Sequence, residues 1–179
     1  MFYSAHCQSP LGWLTLAGDG DNLVGLWLEG QKYFGGAIKQ PMVQRENLPV
    51  FLQTKEWLNR YFAGENPAIS SLPLAPIGGE FRQTVWKILC RISYGEVVTY
   101  GEIARETAVR LHRSGMSPQA VGGAVGHNPI SIIIPCHRVV GANGNLTGYA
   151  GGLDKKCQLL RHEGVDMSRF RVPVVGTAR

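Results

Sequence analysis

The chain has 179 residues, of which 44% are hydrophobic and 17% charged, a balance that suits a globular protein of one or two small domains with a buried core. Its apolar runs are far too short to cross a bilayer, and the opening MFYSAHCQSP lacks the basic and apolar regions of a secretion signal, so neither is expected. Charge is uneven: residues 1–80 carry 5 Lys/Arg against 7 Asp/Glu, and residues 81–179 carry 13 against 6, which points to a polyanion as the partner of the second half, with a basic surface kept for solubility as the alternative.

The four cysteines are Cys7, Cys90, Cys136 and Cys157. No two form a CxxC pair and their wide spacing is unlike a local zinc motif. Free thiols in a reducing, cytoplasmic setting are therefore expected, with no metal.

Residues 12–28 (GWLTLAGDGDNLVGLWL) hold two β-prone apolar segments around a Gly-Asp-Gly-Asp-Asn turn, a hairpin signal. Residues 49–63 place Phe51, Leu52, Trp57, Leu58, Tyr61 and Phe62 at helical recurrence, and Gly64 stands where such a helix stops. Trp13 and Trp27 are assigned to the core. No chemical constellation is visible up to this point, and ENPAISSLPLAPIGG reads as a linker.

Beyond the linker, Phe81, Val85, Ile88 and Leu89 mark a helix with Cys90 near its end as plain filling. A Tyr94-Gly95 turn and an extended piece at Val97–Thr99 follow, and Tyr100 leads into a second helix. A third helix is predicted at Pro118–Gly126, with Ser117 as N-cap and Pro118 at its first position. Gly122, Gly123 and Gly126 each cost that helix about 1 kcal/mol relative to alanine. Two explanations stand side by side: close packing against a neighbouring element, or a smooth face that lets backbone approach DNA. Helix, turn and short helix in a basic half is the helix-turn-helix layout.

The run IIIPCHRVV is predicted as a strand stopped by Pro135, with Cys136 just past its end and free to face a pocket. GANGNLTGYAGG then offers backbone that can approach a ligand, and LDKKCQLLRHEG is predicted as a last helix with Glu163 at its end and Gly164 closing it. An unperturbed thiol is only a few per cent thiolate at neutral pH, so a catalytic Cys136 needs a base such as His137, oriented by a carboxylate such as Glu163. On these residues alone, Cys136 is either a nucleophile or a core cysteine beside an unrelated histidine.

NPISIIIPCHRVVGANGNLTGYAGG resembles the active-site block of the O6-alkylguanine-DNA alkyltransferases. The likeness rests on Asn128-Pro129, Pro135-Cys136-His137-Arg138-Val139, Gly148-Tyr149, Gly151-Gly152 and His162-Glu163-Gly164. It extends upstream through FRQTVWKIL and YGEVVTYGEIA, covering about residues 81 to 164, with a looser match at Gly12–Leu16.

The resemblance implies a ribonuclease H-like α/β domain with linker over residues 1–78 and a mainly α domain over 79–179 bearing a helix-turn-helix. It implies a monomeric, cofactor-free, single-turnover DNA repair protein acting on double-stranded DNA. Such a protein flips O6-alkylguanine, with O4-alkylthymine as a second substrate, and transfers the alkyl group irreversibly to Cys136. His137 would be the base, through a water, and Glu163 would polarise it. Asn128 would tie the helix-turn-helix to the site, and Tyr100 would support the extruded nucleotide and protonate the leaving guanine. The carbonyls of Cys136 and Val139, together with Tyr149 and the Ala150 N–H, would bind the base. Gln119, Ala120, Gly122 and Gly123 would meet DNA.

The sequence departs from the family pattern at three points. Gln119 stands where many members carry an arginine finger, Ser131 replaces a proline of the pocket wall, and the zinc ligands of some relatives are not evident. A cysteine hydrolase, a non-reactive DNA-damage sensor and a redox sensor are the competing readings. Catalytic turnover, an unreactive group at position 136 and a resolving cysteine would respectively mark them.

Overall fold

A computed structural model describes residues 1–173. The first half is built on a four-stranded sheet in the order β3-β2-β1-β4, from β1 (Tyr3–Ser9), β2 (Gly12–Gly18), β3 (Leu23–Leu28) and β4 (Val43–Gln44). The predicted hairpin is present: β2 pairs antiparallel with β3, placing Leu14 opposite Leu28 and Leu16 opposite Leu26. Its turn is held by Asp19, whose carboxylate accepts from the backbone N–H groups of Asp21 and Asn22, an Asx arrangement. Strand β1 has no sequence forecast because YSAHCQS carries no branched apolar residue, yet it pairs with β2 along its whole length.

Helix α1 (Pro49–Phe62) covers one sheet face with Val50, Phe51, Thr54, Trp57, Leu58 and Tyr61. The opposite face buries Val24 and Trp27 under Phe2, Ile38, Met42 and Ala75. Trp27 is core as expected, whereas Trp13 is 48% exposed, because alternation on β2 turns it to solvent. The Pro-rich segment is not a loose tether. Leu23 N–H donates to Pro73 O and Ala75 N–H to Leu23 O, so residues 73–75 run beside the start of β3.

The second half contains α2 (Glu80–Leu89), β5 (Val98–Thr99), α3 (Tyr100–Arg110), α4 (Pro118–Gly126), β6 (Val139–Val140) and α5 (Leu153–His162). The N-cap of α3 is a capping box: Thr99 accepts from Glu102 N–H while the Glu102 carboxylate accepts from Thr99 N–H. Ser117 caps α4 by accepting from Ala120 N–H, with Pro118 in the first turn. The three helices α2, α3 and α4 pack on one another, and Trp86 Nε1 donates to Ala124 O at 2.9 Å to pin α4 on α2. Gly164 has φ +80° and ends α5 as predicted. One continuous core joins the halves, from Leu14, Leu16 and Leu26 to Val85, Ile130 and Ile134.

The strand expected at Ile132–Ile134 is not formed. Those residues are buried but turn repeatedly, and Ile132 has φ +71°. Only Ile130 makes a bridge, parallel to Leu26. The backbone satisfies itself locally instead: Ile133 N–H donates to Ser131 O, Ile134 N–H to Ile130 O and Cys136 N–H to Ile134 O. A short apolar run fits a buried turn as well as a strand, and its periodicity cannot separate the two. Cys136 therefore opens a 3₁₀ turn, Cys136–Arg138, that leads into β6.

Candidate active site

The buried turns around Cys136 are organised by Asn128, two residues past the end of α4. Its Nδ2 donates to Ile134 O at 2.8 Å and Ile130 O at 3.3 Å, and its Oδ1 accepts from Ile130 N–H at 3.0 Å. Asn128 thus stands between the helix expected to meet DNA and the turn that presents the cysteine.

Cys136 is 4% exposed and lies in the wall of a cavity of about 220 Å³. That is below the range of roughly 300–1,000 Å³ typical of drug-sized ligands and suits a smaller group. Tyr100 comes to the cavity from α3, Gly122, Val125 and Gly126 from α4, and Gly148, Tyr149 and Ala150 from the glycine-rich segment. Val139, expected to bind the base, is not among these lining residues; its carbonyl accepts from Lys156 Nζ at 2.5 Å.

His137 is fully buried, and its Nε2 meets Glu163 Oε1 at 2.7 Å. Its Nδ1 is also buried and has no partner among the described residues. With a proton on Nε2 facing the carboxylate, Nδ1 carries the lone pair of the neutral ring. Burial lowers the His137 pKa and outweighs the opposing pull of Glu163, so the ring is neutral at pH 7. Burial pushes the Cys136 thiol up, opposed by the Asn128 side chain and by Lys156.

Glu163 is the hub. Burial would raise its pKa, yet hydrogen bonds from His137 and Arg138 hold the carboxyl far below the usual carboxylate range. Arg138 donates through Nε to Oε2 at 2.8 Å and through Nη2 to Oε1 at 2.9 Å, and its Nη1 reaches Ile92 O at 2.6 Å. Gly95 N–H adds a bond to Oε2 at 3.2 Å. Tyr61 adds one from the first half, its hydroxyl donating to Oε1 at 2.7 Å.

Tyr100 donates its hydroxyl to Thr147 O at 3.2 Å. Burial and the proximity of Cys136 push the phenol up to about 12, so it stays protonated and able to donate. Tyr149 is enclosed, and its hydroxyl has no hydrogen-bond partner among the described residues. Ser131 sits behind the wall, its hydroxyl donating to Gln31 Oε1 at 3.0 Å.

On α4, Gln119, Ala120 and Gly123 are exposed and Gly122 is half-buried. A Cβ on Gly123 or Gly126 would meet nothing within 4 Å, and one on Gly122 would reach only ordinary contact with Tyr100. Close packing against a neighbour therefore does not explain these three glycines; their small size leaves an open, smooth face beside the cavity.

Three contributions escaped the sequence analysis. Arg138 and Tyr61 act on Glu163, and Lys156 is a buried ammonium donating to the carbonyls of Val139, Thr147 and Gly148. Lys156 had a signal: it lies three residues after Leu153 and four before Leu160, on the helix's apolar side. The first half also reaches the cavity through Lys32 and Tyr33, and Lys32 N–H donates to Ala150 O. Among the described residues, no group of three or more His, Cys, Asp or Glu is placed to hold a metal ion. No helix there is long and apolar enough to cross a membrane.

Comparison with known proteins matches residues 2–76 to the 6-O-methylguanine DNA methyltransferase, ribonuclease-like domain. Residues 80–165 match the DNA binding domain of the same family. The methylated-DNA–protein-cysteine methyltransferase of Haemophilus influenzae is 42% identical over 161 residues, 90% of this chain and 86% of that protein. The Methanosarcina acetivorans protein of the same name is 45% identical over 163 residues, 90% of this chain and 98% of its own length. The crystal structure of Mycobacterium tuberculosis OGT in complex with DNA superposes with a TM-score of 0.79 at 40% identity, covering 94% of each chain.

Proposed function

Because this chain belongs to the 6-O-methylguanine DNA methyltransferase family, we propose that Cys136 is the residue on which its chemistry ends. The protein repairs DNA by taking the alkyl group of O6-alkylguanine onto one of its own cysteines. The observation that carries the assignment is the position of Cys136 at a nucleobase-sized cavity with the His137–Glu163 pair beside it.

In this reading the target base is rotated out of the duplex, at a cost of a few kcal/mol, and enters the cavity. His137 Nδ1 takes the thiol proton through an intervening water, and Glu163 stabilises the imidazolium that forms. Sulfur attacks the alkyl carbon in line, a C–S bond forms, and the C–O6 bond breaks with its electron pair passing to guanine. Tyr100 supplies the proton that the leaving base acquires. Tyr149 and Ala150 enclose the ring, and the carbonyl of Cys136 faces its amino group. The thioether has no hydrolytic exit, so each molecule acts once.

The first half is proposed to be ribonuclease H-like, and α3 with α4 to be the helix-turn-helix. Support comes from α3–α4 packing, from the unobstructed glycine face and from the excess of Lys/Arg in the second half. Gln119, Ala120, Gly122 and Gly123 would form the DNA-facing edge. A DNA substrate and a thiol that must stay reduced favour a cytoplasmic location.

The test is intact-mass and peptide mapping after incubation with a duplex containing O6-methylguanine. One methyl group per molecule on Cys136, and none transferred by Cys136→Ala, is the expected result. A methyl group on Cys7, Cys90 or Cys157, or continued repair by Cys136→Ala, would overturn the assignment.

A further inference from the structure

Tyr61 lies on the last turn of α1, in the half of the molecule that carries no part of the cysteine motif. It is 1% exposed. Its ring stacks on Trp57 with centroids 5.5 Å apart and an interplanar angle of 9°, and meets Tyr94 edge-on at 6.0 Å. Its hydroxyl donates to Glu163 Oε1 at 2.7 Å, while its backbone carbonyl accepts from His162 Nε2 at 2.7 Å. One residue of the first domain therefore grips two successive residues at the end of α5.

We propose that Tyr61 is a positioning residue for alkyl transfer, its phenol setting the orientation and basicity of the carboxylate oxygen that binds His137. The proposal rests on the Cys136–His137–Glu163 assignment made above.

The choice of oxygen carries the inference. Oε2 is held by Arg138 Nε and Gly95 N–H. Oε1 accepts from His137, from Arg138 Nη2 and from Tyr61. Each added donor draws charge from that oxygen and leaves it a weaker partner for the imidazolium. The phenol thus keeps the Nε2 proton on the ring, which leaves Nδ1 free to serve as base.

The groups facing the pair are Tyr61 from α1, Tyr94 from the turn after α2, Arg138 and Cys136 from the 3₁₀ turn, Tyr149 from the glycine-rich segment and Lys156 from α5. Of the three tyrosines, Tyr61 is the one whose hydroxyl bonds Glu163, and substitution with phenylalanine removes that bond with the ring packing kept.

The experiment compares the full-length wild type, Tyr61→Phe, Glu163→Gln and the double variant. Single-turnover transfer is followed from free O6-benzylguanine and from methylated duplex between about pH 5 and about pH 9, where a histidine base titrates. Tyr61→Phe is expected to slow transfer roughly tenfold from both substrates, because the carboxylate loses a donor that fixes its orientation and a more basic His137 is already protonated over more of the pH range. Duplex affinity stays at the wild-type level, and the acid limb of the rate profile moves to higher pH because His137 becomes more basic. In the Glu163→Gln background the same substitution costs nothing further.

His162→Gln loosens the same grip without touching the phenol; it should lower the melting temperature and leave the acid limb in place. The proposal falls if Tyr61→Phe leaves rate and limb unchanged, if the rate drops with an unmoved limb, or if the loss recurs in full on Glu163→Gln. It also falls if His162→Gln shifts the limb equally. Repair by Cys136→Ala would instead remove the site assignment itself.

Discussion

His137 Nε2 lies 2.7 Å from Glu163 Oε1, while Nδ1 of the same buried ring has no partner among the described residues. One nitrogen is committed to orientation and the other is left for chemistry. Replacing Glu163 with Gln keeps the shape but removes the charge proposed to stabilise the imidazolium. Glu163→Gln should slow alkyl transfer by roughly 100-fold or more, the scale of losing general-base assistance, with duplex affinity unchanged. Stopped-flow transfer and a binding titration separate the two. Equal losses in both would mean that the fold, and not the relay, had been damaged.

The same cluster sets the acid limit of stability. Glu163 has a folded-state pKa well below its unfolded value, after burial is outweighed by His137 and Arg138. Its contribution is complete above about pH 4.5, and is lost as pH falls toward the folded value because the unfolded chain binds the proton first. His137, lowered by burial, has the same sign from a higher start: protonation favours the unfolded chain as pH falls below about 6.5. Denaturant midpoints measured from about pH 7 to about pH 3 should fall steadily, and more shallowly for Glu163→Gln below about pH 4.5. A parallel decline in the variant would exclude Glu163 as the main acid-sensitive group.

Lys156 places an ammonium against three carbonyls under the rim of the cavity. Burial pulls its pKa down to about 8, and the three acceptors favour the charged form. Lys156→Met fills similar volume but leaves the carbonyls of Val139, Thr147 and Gly148 without this donor. A loss of about 2–4 kcal/mol is expected, or roughly 4–16 °C in melting temperature for a chain of this size. Thermal unfolding checks it, and a change below about 0.5 kcal/mol would show that the carbonyls find other donors.

Asn128 performs the corresponding task on the other side of Cys136. Asn128→Ala leaves Ile130 N–H and Ile134 O without their side-chain partner inside a turn whose Ile132 sits at φ +71°. About 1–3 kcal/mol of stability should be lost, since the buried Ile130 N–H becomes unsatisfied while Ile134 O keeps the Cys136 N–H. Transfer from free O6-benzylguanine should slow as well, because the turn presents the thiol. Normal stability and normal rate together would leave Asn128 without a role.

How much of this was legible in the sequence depends on the range of each interaction. Ser117-Pro118 at the start of α4 and Gly164 after α5 are local signals, and both elements end where those residues stand. Cys136, His137 and Glu163 were identified as a set by resemblance, although 26 residues separate the last two. Tyr61 is 102 residues from Glu163, and in sequence it looks only like a core position of an amphipathic helix. The apolar run before Cys136 misled for a related reason. Burial of Ile132–Ile134 is real, but their turns are fixed by local backbone bonds and by Asn128, and hydrophobicity carries no record of either.

Gln119 stands exposed in the first turn of α4, beside Ala120 and the open face at Gly123. In the proposed docking on DNA, a side chain at this position would enter the gap left by an extruded base. Glutamine fills the gap without a charge and without a guanidinium plane to stack on the neighbouring bases. Gln119→Arg should therefore tighten binding to methylated duplex and speed repair there, while transfer from free O6-benzylguanine, which needs no extrusion, stays at the wild-type rate. Salt dependence distinguishes how the gain arises. An arginine that only neutralises one more phosphate steepens the log–log slope by about 0.9 and tightens undamaged duplex equally. An arginine that fills the stack favours the damaged duplex, where the base is out. Slower duplex repair, or equal change with both substrates, would mean that residue 119 does not reach the vacated stack and that α4 meets DNA in another orientation.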